Sequence, residues 1–187
     1  MSSQPGSLRP IRSAAVLRFF LKSLLKTSFV ALALLPTFAF GVEEILGNKA
    51  YPNGPEVSMT PGSLCDSPDT YRYPEKVAYC RRDVERELKK DLIRRYDEVF
   101  GYAIQTMPRQ EFKIDHLIPL CAGGSNKADN LWPQHETVYA ITDPLEPLLC
   151  QRMAEGKLLQ AEAVRLIREA KADLSKVSAV LQHLNSL

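Results

Sequence analysis

The sequence lacks the patterns that define several specialised classes of protein. Its 187 residues contain no internal repeat and no C-x-x-C pair, which argues against a repeat array and against a zinc site of closely spaced thiolates. No apolar run reaches the roughly 20 residues that a membrane-spanning helix requires. The composition, with 45% hydrophobic and 25% charged residues, is that of an ordinary globular domain rather than a disordered chain.

Acidic residues are absent from residues 1–41, whereas five of the chain's 24 basic residues lie there. The remainder therefore has 19 basic and 22 acidic residues, a net charge of −3. A protein of this charge does not coat nucleic acid as a broad polycation, so any action on nucleic acid must depend on a local site.

The first forty residues have the three parts of a secretory signal. A basic segment, residues 1–26, precedes the apolar run Thr27–Phe40, and Ala39 and Gly41 occupy the −3 and −1 positions of a cleavage site before Val42. We therefore expect residues 1–41 to be a signal peptide and the protein to be exported, either periplasmic or secreted. No stable membrane association is expected after cleavage. The alternative is an uncleaved anchor, which the long basic segment leaves open.

Export changes how the cysteines are interpreted. Four cysteines follow the signal segment: Cys65, Cys80, Cys121 and Cys150. In an oxidising compartment, an even number of cysteines predicts two disulfide bonds. Their spacing does not choose among the three connectivities that four cysteines allow.

Hydrophobic periodicity predicts a mostly helical α+β protein with one small hairpin in the middle. Residues 42–60 are expected to form an extended lead-in, residues 61–172 the domain and residues 173–187 a helical tail. The predicted elements are a helix from Pro74 to Gly101, a strand within Glu111–Leu120, a strand at Asn130–Trp132 that Pro133 ends, a helix from Thr142 or Asp143 to Gly156, a helix at Ala161–Ala172 and a weaker helix within Leu174–Leu187.

The residues best suited to chemistry lie in the middle of the chain. Asp115 and His116 are adjacent and would point to opposite faces of a strand unless it bends, which Pro119 and the following glycines allow. A histidine can act as a base near neutral pH, and a carboxylate can bind Mg²⁺. Water attack on a phosphodiester needs that pair of groups. From the residues alone, a structural Asp-His turn is the alternative.

The same block resembles the active-site motif of the HNH, or His-Me finger, endonucleases. The resemblance is carried by Ile114–Leu120, Gly123–Ser125 and Asn130–Gln134, and it is strongest to the exported branch of that family. A fuller similarity extends from about Thr60 to Ala172, through Arg72–Glu75 and Asp143–Glu146. The resemblance implies a ββα-metal core, which is a hairpin followed by a helix, with further helices packed around it and disulfide bonds holding it together.

The resemblance also implies a role for each residue of the motif. His116 would be the general base that activates water, Asp115 a metal ligand, and Asn130 the residue that holds the hairpin loop and so orients His116. Gly123 and Gly124 would supply the tight loop. The implied activity is metal-dependent hydrolysis of phosphodiester bonds in nucleic acid, with Mg²⁺ as the expected ion and Mn²⁺ or Zn²⁺ as alternatives.

The sequence departs from the family pattern at the third element of the motif. Many members have a metal-binding histidine on the helix after the hairpin, whereas this chain has Tyr139 at that position. The remaining candidate ligands are His135, Asp143 and Glu146, of which the last two are spaced to share one face of a helix. The departure motivates an alternative function, a catalytically inactive exported binding protein that retains the HNH fold.

Basic residues near the motif are the candidates for contacts to substrate phosphates: Lys113, Lys127, Arg109 and Arg152. Phosphate contacts position a nucleic acid without specifying its sequence. The sequence has no separate recognition module, so cleavage without sequence specificity is expected. DNA is expected as the substrate rather than RNA, and the protein is expected to be a monomer. Trp132 is expected in the core rather than stacked on a base.

A disulfide pairing also follows from the resemblance. Simpler members of the family keep one cysteine before the motif and one on the helix after it, which Cys65 and Cys150 match. This implies the pairs Cys65–Cys150 and Cys80–Cys121. The competing arrangement is Cys65–Cys80, which closes a short local loop, together with Cys121–Cys150.

Overall fold

A computed structural model describes residues 50–187. In this part of the chain the protein is α+β, with two antiparallel two-stranded sheets. The strands are β1 (Thr70–Arg72), β2 (Val77–Tyr79), β3 (Phe112–His116) and β4 (Leu131–His135). The α-helices are α1 (Arg86–Phe100), α2 (Glu136–Thr142), α3 (Leu145–Ala154), α4 (Gln160–Ala172) and α5 (Val177–Ser186). The predicted signal peptide and the start of the lead-in, residues 1–49, lie outside the described residues.

The first hairpin corrects the prediction of a helix from Pro74. Residues 70–79 form the β1–β2 pair, and Tyr73 and Lys76 in its turn have φ angles of 65° and 58°. Val77 fits the helical spacing of the apolar residues, but it lies in strand β2, where its side chain is buried. The helix begins only at Arg86 and ends as predicted at Gly101, which has a φ of 74°.

The second hairpin pairs β3 with β4, so that Asp115 lies opposite Trp132 and Phe112 lies opposite His135. The prediction that Pro133 ends the second strand is wrong, because Pro133 pairs with Ile114 inside it. In a two-stranded sheet, alternate N–H groups of each strand point away from the partner strand. A proline, which has no N–H group, is tolerated at such a position. Trp132 is fully buried, which confirms its predicted place in the core.

Helix α2 follows β4 directly and was not predicted, since the helix predicted from Thr142 or Asp143 corresponds to α3. The His135 side chain accepts a hydrogen bond from the Thr137 N–H and so caps this helix, a contact that satisfies one of its free donors. Helix α3 then runs from Leu145 to Ala154. Gly156, which has a φ of 70°, follows soon after its end.

The three C-terminal helices pack into one apolar core with the β3–β4 hairpin. The helix predicted at Ala161–Ala172 is confirmed as α4, with Leu166, Ile167 and Ala170 buried. Helix α5 buries Val177, Val180 and Leu184 and contacts α3 and α4. In the described range, no helix is both long and apolar enough to cross a bilayer.

The two predicted disulfide bonds are present, but the pairing implied by the resemblance is wrong. The bonds are Cys65–Cys80 and Cys121–Cys150, each with a Cα–Cα distance of 5.8 Å. The first ties the segment before β1 to the residue after β2, and the second ties the loop after β3 to α3. Disulfide bonds are typical of proteins outside the reducing cytoplasm.

Candidate functional site

The loop that joins β3 to β4 is closed by the side chain of Asn130. Its Oδ1 accepts a hydrogen bond from Ile118 N–H at 2.9 Å, and its Nδ2 donates to the carbonyl oxygens of Ile118 at 3.0 Å and Ser125 at 2.9 Å. Asn130 is fully buried, so these backbone groups have protein partners where water is excluded. These bonds hold the loop together at the end of β3.

His116 is the last residue of β3, and only 2% of its surface is exposed. Its Nε2 lies 3.1 Å from Oδ1 of Asn126, whose Nδ2 donates to the Arg81 carbonyl at 2.7 Å. Because a carbonyl can only accept, that bond fixes the Asn126 amide, and Nε2 of His116 must carry the hydrogen. The remaining nitrogen, Nδ1, is then unprotonated and presents a lone pair.

Arg82 lies beside that lone pair and was missed by the sequence analysis. Its Nη1 is 3.4 Å from Nδ1 of His116, which is long for a hydrogen bond, and its Nη2 donates to the Ile114 carbonyl at 2.9 Å. Arg82 is more than thirty positions from the motif, and its position close after Cys80 is its one signal in the sequence. The Cys65–Cys80 disulfide holds this segment near β3.

Burial sets the protonation state of His116. Loss of solvent and, to a lesser extent, the charge of Arg82 lower its pKa to about 4, against the opposing effect of the Asn126 hydrogen bond. An imidazole with such a pKa is neutral at pH 7. His116 is thus an oriented, uncharged base at the edge of a small cavity of about 160 Å³ that Arg82, Asp115 and Glu146 also line.

Asp115 faces a buried lysine that the sequence analysis also missed. Nζ of Lys171, on α4, donates to Asp115 Oδ2 at 2.8 Å, to the His116 carbonyl at 2.6 Å and to Glu146 Oε1 at 2.6 Å. Lys171 has no exposed surface. Its signal in the sequence was its position four residues after Ile167, on the apolar face of the predicted helix.

The charges of this cluster stabilise one another. Burial alone would raise the pKa of Asp115, but the positive charges of Lys171 and Lys113 outweigh it and hold the pKa below its usual range. Burial alone would lower the pKa of Lys171, but Asp115 and Glu146 outweigh it and raise the pKa. Both groups are therefore charged at neutral pH, as buried ions must be paired to remain.

Three of the predicted acidic residues border one cleft. Asp115, Asp143 and Glu146 line an open cleft of about 600 Å³ together with Lys113 and Arg82. Nζ of Lys113 forms an ion pair with Asp143. Cys150 also lines the cleft, so the Cys121–Cys150 disulfide ties the middle of α3 to the loop after β3 beside the acidic residues.

The structure does not bring four other candidate residues to this cleft. His135 lies at the opposite end of the hairpin, where its ring stacks on Tyr51 at 3.8 Å. Each of the other three has a partner elsewhere: Lys127 with Asp66, Arg109 with the Phe112 carbonyl, and Arg152 with the Leu184 carbonyl and Glu155.

The donor set of the cleft does not fit the divalent metal ion that the HNH resemblance implies. Asp115 and Glu146 converge on one point, as two ligands of a single cation would, but that point is occupied by the ammonium of Lys171. Among residues 50–187, no group of three or more histidine, cysteine, aspartate and glutamate side chains is arranged to hold a metal ion.

Comparison with family models, with curated proteins and with solved structures finds no match to this chain. The functional assignment therefore depends on the geometry of the residues themselves. That geometry combines a neutral oriented imidazole, an adjacent guanidinium and a cleft lined by charged side chains.

The low pKa of His116 predicts a pH-dependent stability. In the unfolded chain its pKa would be near 6.5, so between that pH and about 4 the unfolded state binds more protons than the folded state. The stabilisation is complete above pH 6.5 and is lost as the pH falls through this window, by roughly 2–3 kcal/mol. Urea unfolding at pH 7 and pH 4.5 measures this difference.

Two variants assign the effect to this residue. His116→Asn should flatten the change in unfolding free energy between the two pH values, whereas His183→Asn, at an exposed position, should leave it as in the wild type. Equal slopes in the wild type and His116→Asn would show that other groups cause the acid sensitivity.

Proposed function

We propose that the protein is an exported endonuclease of the HNH type that hydrolyses phosphodiester bonds of nucleic acid without sequence specificity. The single observation that carries the proposal is the environment of His116. Its Nδ1 is unprotonated and faces Nη1 of Arg82 at 3.4 Å, the residue borders a cavity, and the hydrogen bond to Asn126 fixes the ring. The order β3–β4–α2, with Asn130 closing the hairpin loop, supports the resemblance to the ββα core of that family.

In the proposed reaction, His116 accepts a proton at Nδ1 from a water molecule whose oxygen attacks the phosphorus atom. The bond from phosphorus to the leaving oxygen breaks, and the imidazolium that has formed returns its proton to solvent or to the leaving oxygen. The negative charge that develops on the phosphate needs nearby cations. Arg82 and Lys113 line the cleft and are the residues that would supply them.

The two disulfide bonds support the proposed export, because such bonds form outside the reducing cytoplasm. DNA is the proposed substrate, with RNA as the alternative, and the proposed state is a monomer. The divalent ion implied by the resemblance takes part in no step here, because Lys171 occupies the position that Asp115 and Glu146 share.

The test uses the exported form of the protein, purified with both disulfide bonds intact. Supercoiled plasmid and single-stranded RNA are incubated with it in Mg²⁺, in Mn²⁺ and in EDTA. We expect cleavage that His116→Ala reduces at least about 100-fold, since a general base contributes that much or more. His183→Ala is the matched control and should cleave at the wild-type rate.

Folded protein that cleaves neither substrate in any of these buffers would overturn the proposal, and so would cleavage that His116→Ala retains. The first result would favour the second candidate function, a non-catalytic exported protein that binds nucleic acid. The observation that favours this candidate is that the ammonium group of Lys171 donates hydrogen bonds to the carboxylates of both Asp115 and Glu146. A gel shift of the same plasmid without cleavage would support it.

A further inference from the structure

Lys171 is the most unusual buried group in the described part of the chain. Lysine side chains are almost never fully buried unless they are paired, and this one has no exposed surface. An ammonium group has three donors, and all three are used, on Asp115, on Glu146 and on the carbonyl of His116. Every acceptor belongs to the candidate site, so the lysine is part of that site.

We infer that Lys171 is a built-in cation that takes the position of a divalent metal ion, and that the site does not bind such an ion while Lys171 is present. The inference rests on the proposed function, because the HNH resemblance is what implies a metal at this position. It also corrects that resemblance: Asp115 and Glu146 would serve as ligands to an ammonium group rather than to a metal ion.

The geometry supports a replacement of this kind. One oxygen of Asp115 and one of Glu146 lie 2.8 and 2.6 Å from the same nitrogen, a convergence that a bound cation would also produce. The third contact is a backbone carbonyl, which is a further oxygen ligand of the kind that hard cations accept. The oxygens therefore form a cation cradle, and the chain itself supplies the cation.

A divalent ion and the ammonium group cannot share this cradle. Both are positive, and at a separation of a few ångströms in a buried position their repulsion is far stronger than in water. The two carboxylates balance the single charge of Lys171 and leave one net negative charge, which is weak compensation for a further dication. Lys171 also cannot move aside into solvent without leaving its carboxylates unpaired in the core.

Removal of the ammonium should create the metal site that the wild type lacks. Lys171→Met keeps most of the side-chain volume and leaves Asp115 and Glu146 as a free pair. Mn²⁺ is titrated into wild type, Asp115→Asn, Lys171→Met, Lys171→Met with Asp115→Asn, and the control Lys157→Met, whose lysine is exposed. Free Mn²⁺ is measured by electron paramagnetic resonance, so the readout does not depend on nuclease activity.

We expect no stoichiometric binding by the wild type or Lys157→Met, and one Mn²⁺ per chain for Lys171→Met that the added Asp115→Asn abolishes. A wild-type protein that binds one Mn²⁺, lost on Asp115→Asn, would overturn the inference, as would folded Lys171→Met that binds none. If Lys171→Met does not fold, the wild-type titration decides alone. Absence of nuclease activity would overturn the proposed function and leave this result standing.

Discussion

Replacement of Gly124 by alanine should lower the free energy of unfolding by about 3 kcal/mol, at the upper end of what overpacking usually costs. A Cβ atom at this position would lie 1.8 Å from the carbonyl oxygen of Ile118 and 2.8 Å from Nδ2 of Asn130. The first of these atoms is backbone, so the loop itself would have to move. That movement would break the Asn130 contacts and shift Asn126, and we expect the proposed nuclease activity to fall with the stability.

Gly101→Ala is the matched control for this prediction. A Cβ there meets no atom within 4 Å, although the φ of 74° disfavours alanine, so the expected cost is roughly 1–2 kcal/mol. Denaturant unfolding of the wild type and both variants measures the two losses of stability. The loss in Gly124→Ala reports the steric clash, and the loss in Gly101→Ala reports the backbone strain. If Gly124→Ala were no less stable than Gly101→Ala, the loop could not be packed closely around Gly124.

Asn130→Ala should destabilise the protein by about 3–5 kcal/mol, because three buried backbone groups would lose their partners and each costs about 1–3 kcal/mol. The side chain is fully buried and its contacts span the whole loop. A second effect should accompany the first. Since the loop carries Asn126, which orients His116, the proposed cleavage of nucleic acid should also be slower in the residual folded protein.

Asn185→Ala removes an asparagine from an exposed position where it also donates to a backbone carbonyl, and its cost should stay within about 0.5 kcal/mol. Thermal and urea unfolding of both variants measure the difference. An Asn130→Ala protein as stable as Asn185→Ala would mean that water or relaxation of the loop replaces the lost bonds. The role of Asn130 in holding the loop would then be excluded.

Local sequence signals predicted much of the helical part of the fold. The apolar residues of α4 recur at helical spacing, and Gly101 and Gly156 follow the ends of helices, as predicted. Both signals could be seen because each depends only on residues close together in the sequence. The β1–β2 hairpin was missed because Val77 also fits a helical pattern. What makes it a strand residue is its pairing across the turn and the disulfide at Cys80, and neither is visible in a local window.

In the candidate site, too, residues close together in the sequence were predicted and distant ones were missed. Asp115, His116 and Asn130 were found because they lie within one short block of sequence. Arg82 and Lys171 come from 34 and 56 positions away, so no spacing rule could connect them to the motif. Lys171 could have been noticed as a charged residue on the apolar face of α4, but its partners depend on how the helix packs.

The wide sequence separation within the ion cluster has a consequence for local opening of the fold. Lys171 is on α4, whereas its acceptors are on β3 and α3. If α4 moved away from the hairpin, an ammonium and two carboxylates would lose their partners in one step, which is costly for buried charges. Amide hydrogens of β3 and α4 should therefore exchange with solvent through a shared opening, so the C-terminal helices and the hairpin behave as one cooperative unit.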